Sequence, residues 1–104
     1  MGYAKERGKL EKLSAKITGL TIYDDKSLAV ITDIYEQYSH TIRILKNKDA
    51  DTFMELYQNE LQQVKELKKA LKLSEHDEDR QLNFVKYKDG LSDVLVKTIQ
   101  VSMT

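Results

Sequence analysis

The chain has 104 residues, and 17 Lys and Arg balance 17 Asp and Glu, so the formal net charge is zero. At 40% hydrophobic and 33% charged, its composition is that of a globular protein rather than a disordered or membrane-embedded one. No Cys and no Pro occur, which excludes disulfides, thiolate metal sites and thiol catalysis and favours uninterrupted helices. The expectation is one helical domain over residues 1–104, in a reducing, cytoplasmic compartment. No stretch approaches the roughly 20 apolar residues of a membrane span.

Leu10, Leu13, Ile17 and Leu20 step by 3, 4 and 3, and Tyr3 stands seven before Leu10. This narrow stripe predicts a first helix over about residues 4–18, with Gly19 as its C-cap. Residues 20–23 read as extended, and Asp24-Asp25 closes a loop.

The strongest pattern lies in residues 27–47. Leu28, Ile31, Tyr35, Tyr38, Ile42 and Leu45 keep an unbroken 3-4 spacing, widened by Val30, Ile34 and Ile44. Such an apolar helix belongs at the centre of a bundle. Asp25 or Ser27 is its expected N-cap.

After the polar break at residues 47–51, Thr52 and Glu55 form a T-x-x-E capping box. It opens a third helix over about 52–72. Phe53, Leu56, Tyr57, Leu61, Val64, Leu67 and Leu71 are expected to share one face of it. Ser74 and Asp77 suggest a second box, and acidic residues crowd the turn that follows. A tight antiparallel turn is expected there, with one long, locally broken helix as the alternative.

Residues 75–103 allow two readings. As a helix they place Phe84, Tyr87, Leu91, Val94, Leu95 and Thr98 on one face, and Leu82, Val85, Val96 and Met103 on another. As an alternative, Asp89-Gly90 between β-forming runs signals a hairpin. The preferred fold class is all-α, a small antiparallel bundle of three to four helices. The alternative is α+β with a C-terminal hairpin around Asp89-Gly90.

Little in the chain points to catalysis. The four glycines are too scattered to cradle a phosphate, and no G-x-S-x-G elbow occurs. His76 and Asp79 share helical spacing, but one His and one carboxylate make too poor a metal site. The acidic pairs at Asp24-Asp25 and Asp49/Asp51 fall where helix capping puts them. The expectation is therefore a non-enzyme with no metal and no cofactor.

Three functional classes follow. The leading one is a protein–protein interaction module, a small adaptor or regulator acting through helix faces. Its size and charge suit a phage- or plasmid-borne modulator or an immunity-type protein. Its partner is another protein or a second copy, since the second and fourth segments carry surplus apolar stripe. Tyr3, Tyr23, Leu82, Val85 and Val96 are the expected contact residues, because they lie off the main stripes. The second class is histidine phosphotransfer through His40, which faces away from the Leu28–Leu45 stripe. The third is a membrane-surface or nucleic-acid binder using residues 5–16 and 65–72, each with a surplus of three positive charges. The overall charge balance argues against nucleic acid.

Overall fold

The computed structural model describes residues 3–103. Helix α1 spans Ala4–Ile17 and α2 spans Asp25–Lys48. Helix α3 runs over residues 50–72 in three parts: an α segment Ala50–Glu55, a π-helical turn Leu56–Glu60, and a second α segment Leu61–Lys72. Helix α4 spans Asp77–Ser102. The described residues contain no strand. The protein is all-α, a four-helix bundle.

Contacts between helix ends give the directions. The Arg7 guanidinium donates to the carbonyl of Ser102 at 3.2 Å, so the start of α1 meets the end of α4. Lys48 pairs with Glu6, joining the end of α2 to the start of α1. Lys97 Nζ lies 3.1 Å from Glu60 Oε1, where α4 descends past α3. The arrangement is up-down-up-down, with α4 packed along α1 and along the second half of α3.

The capping residues differ from the sequence expectations in each case. Helix α1 ends on Thr18, whose N–H donates to the carbonyl of Ser14, and Gly19 lies beyond it. Asp24, not Asp25 or Ser27, caps α2: its carboxylate accepts from the Ser27 N–H at 2.7 Å. Asp49 caps α3, accepting from the Thr52 N–H at 3.3 Å and from its hydroxyl at 2.6 Å. Thr52 therefore sits inside the first turn rather than ahead of it. In each case the aspartate stands three residues before the amide it accepts from, as a cap requires. Ser74 caps nothing. Its hydroxyl donates to the carbonyl of Ala70 and accepts from Asn83, which pins the α3–α4 turn.

The helical reading of the last segment holds, and the hairpin alternative is overturned. Helix α4 passes through Asp89-Gly90 without a break. Phe84, Tyr87, Leu91, Val94 and Leu95 are all buried on one side. Burying such side chains gains roughly 1.5–3 kcal/mol each, against about 1 kcal/mol lost to an interior glycine. Gly90 marks a close crossing: a Cβ there would stand 2.5 Å from Leu67 Cδ1.

The core is continuous from Leu10, Leu13 and Ile17 of α1 to Ile31, Ile34, Tyr38, Ile42 and Leu45 of α2. It is closed by Phe53, Leu61 and Val64 of α3 and the inner face of α4. Among the described residues, no helix is long and apolar enough to cross a membrane.

Candidate functional site

With the inner face of α4 spent on the core, its opposite face carries the surface of interest. Leu82 is 54% exposed and Val96 43%, while Val85 is half-buried between them. Residues 82, 85, 89, 92, 96, 99 and 103 step by 3 and 4 alternately, the spacing of a coiled-coil seam. They are Leu82, Val85, Asp89, Ser92, Val96, Ile99 and Met103. Five of the seven are apolar. The polar pair Asp89 and Ser92 sits at the centre, and exposed Lys86 and Asp93 flank it on one side.

The structure keeps Leu82, Val85 and Val96 together on this one outward stripe. Tyr3 and Tyr23 are elsewhere, and both rings are committed to closing the bundle. The Tyr3 ring meets Phe53 edge-on at 5.2 Å, and its hydroxyl donates to Asp49 Oδ2 at 2.9 Å. The Tyr23 ring meets Phe84 edge-on at 5.8 Å, and its N–H donates to Gln81 Oε1 at 2.8 Å.

Around Tyr3 lies a small polar latch. Glu6 is buried on α1, and Lys48 reaches it from the end of α2. The Lys48 hydrogen bond holds the Glu6 carboxyl below its ordinary range, against the opposing pull of burial. Hydrogen bonds from Thr52 and then Tyr3 do the same for Asp49. These groups tie three chain segments together around the buried Glu6 carboxyl, so they suit a structural clasp.

His40 is exposed on α2, and His76 is exposed at the N-cap of α4. Among the described residues, no three His, Asp or Glu side chains converge as a metal ion requires. The two Lys-rich segments do not form one face. Helix α1 packs against α2 and α4, and the Leu61–Lys72 segment lies on the other side of α4.

The sequence reading missed Asp89, Ser92 and Ile99 as members of the outward stripe. Their signal was the continued 3-4 step from Leu82 and Val85. It was hidden by the polar residues at its middle and by the competing glycine turn signal. It missed Leu73 and Ile22 as well, both exposed in the connections at the end where α4 begins. Nothing marks them in sequence, because an exposed and a buried residue in a connection look alike.

Comparison with protein-family models, with curated proteins and with solved structures finds no match for this chain.

Proposed function

We propose that the protein is a non-enzymatic interaction module that docks through the outward face of α4, and that the occupant of that face is a second copy of the chain. The observation that carries this reading is the self-complementarity of the face in antiparallel register. Setting Val85 against Val96 of the other copy also sets Leu82 against Ile99 and Asp89 against Ser92. Apolar residues meet apolar ones, and the central serine hydroxyl donates to the central carboxylate. Lys86 and Asp93 share one flank of the stripe, so in the same register each lysine meets the opposite aspartate. A two-fold axis repeats every contact twice. One helix face per partner is a small interface, so the affinity expected is micromolar.

Sedimentation equilibrium over about 10–500 µM tests this. The wild type is expected to sediment as a dimer at the upper end. Val85→Asp is expected to weaken association about 100-fold, because each dimer then buries two unpaired carboxylates. Lys86→Glu is expected to weaken it through repulsion from Asp93, and Lys86→Glu with Asp93→Lys to restore it. A wild type that stays monomeric throughout, or a charge swap that restores nothing, overturns the reading.

A further inference from the structure

A groove of about 470 Å³ opens between the second half of α3, the start of α4 and α2, away from the outward face of α4. Three cations line it: Lys68 and Lys72, one helical turn apart on α3, and Arg80 on the first turn of α4. None of its lining residues is acidic. Arg80 is engaged by Asp77 at 2.9 Å, but that carboxylate is 97% exposed and the pair is a surface one, open to competition. Lys68 lies over the Tyr35 ring at 4.4 Å from its centre, which holds the ammonium beside the groove. Leu28 and Leu71 give the wall an apolar part, beside the hydroxyl-bearing Thr32 and Ser74.

Tyr87 also lines this groove. It is 1% exposed, and its hydroxyl makes no hydrogen bond among the described residues. Buried hydroxyls almost always have a partner, so an orphan on a residue that lines a three-cation groove points to an oxygen acceptor there. Burial pushes the phenol well above its ordinary range, so the hydroxyl stays a donor. The nearby carboxylate that acts on Tyr87 is Glu36, an exposed residue outside the lining.

We propose that this groove binds a small phosphomonoester carried on an apolar or aromatic body. A phosphate monoester carries close to two negative charges and three acceptor oxygens. That matches three cations and one hydroxyl donor better than a carboxylate does. Arg80 can clasp two oxygens in its planar fork, and the lysines act as point charges. Half-buried Leu28 receives the apolar body, with Leu71 and the Tyr87 ring buried in the wall behind it. The volume is that of an ordinary small-molecule site. This site is independent of the docking face on α4.

Amide NMR titration of the full chain with phenyl phosphate tests the proposal, with inorganic phosphate and benzyl alcohol as separate probes. Saturable shifts are expected at Thr32, Leu71, Arg80 and Tyr87 with phenyl phosphate, and binding at least about tenfold weaker with either of the others. Lys72→Gln is expected to weaken phenyl phosphate about tenfold. Tyr87→Phe, which keeps the ring and removes only the hydroxyl, is expected to weaken it about threefold. Their unperturbed amide spectra would show that both variants remain folded. No saturation by about 10 mM overturns the proposal. Equal affinity for inorganic phosphate overturns it as well, since that marks a general cationic surface. So does unchanged affinity in both variants.

Discussion

The N–H of Leu61 donates to the carbonyl of Leu56, five residues back instead of four. Both leucines are buried. In a regular helix, residues five apart point about 140° away from each other, so one of the pair would leave the core. The π-helical turn Leu56–Glu60 takes up the extra residue and returns the second half of α3 to register.

Deleting one residue from that turn is therefore expected to be mild. Removal of exposed Asn59 should convert the turn to regular α-helix and change stability by no more than about 1 kcal/mol. Removal of exposed Glu66, in the regular segment that follows, should turn Leu71 off the core by about 100°. That deletion should cost on the order of 3 kcal/mol or more. Urea unfolding followed by circular dichroism compares the two. Equal losses would show that the turn is not the element that accommodates the extra residue.

The two most deeply buried tyrosines should respond oppositely to loss of the hydroxyl. Thr98 Oγ1 donates to the carbonyl of Val94 at 2.7 Å, so at the 2.9 Å contact it accepts from the Tyr38 hydroxyl. Tyr38→Phe removes a satisfied, fully buried hydrogen bond and is expected to cost about 1 kcal/mol. Tyr87→Phe removes a hydroxyl that has no partner among the described residues, so in ligand-free protein it should cost nothing or stabilise slightly. Chemical denaturation of the two variants reads the difference. A loss at Tyr87 as large as that at Tyr38 would show a partner for its hydroxyl.

The Glu6–Lys48 clasp should make stability depend on acid. The folded-state pKa of Glu6 is depressed, so its contribution is fully present above the ordinary carboxylate range. It is lost as pH falls through that range and then through the lower folded value. Asp49, also depressed by its hydrogen bonds, acts in the same direction. Thermal unfolding between pH 3 and 7 should show a falling midpoint below about pH 4.5, with a shallower fall for Glu6→Gln. An unchanged slope in that variant would remove the clasp from the acid response.

The helices were legible in the chain because their buried faces recur at helical spacing. Leu28 to Leu45 predicted α2, and Phe84 to Thr98 predicted the inner face of α4, since burial against a core repeats every three or four residues wherever the helix packs on one side. The capping residues were less legible. Several of Asp24, Asp25, Ser27, Asp49 and Thr52 can accept from a backbone amide, and only the path of the incoming chain decided for Asp24 and Asp49. Asp89-Gly90 carried a local turn signal that could not be weighed from sequence. Its outcome depended on Leu67 standing close against Gly90 and on five buried side chains of α4 finding a common core. The groove beside Tyr87 was less visible still. Lys68 and Lys72 announce their shared face by spacing, but Arg80 and Tyr87 join them only because α4 folds back along α3. Local periodicity determined which residues go inside. The packing of one helix against another, across separations no local pattern encodes, decided which polar groups were left facing one another.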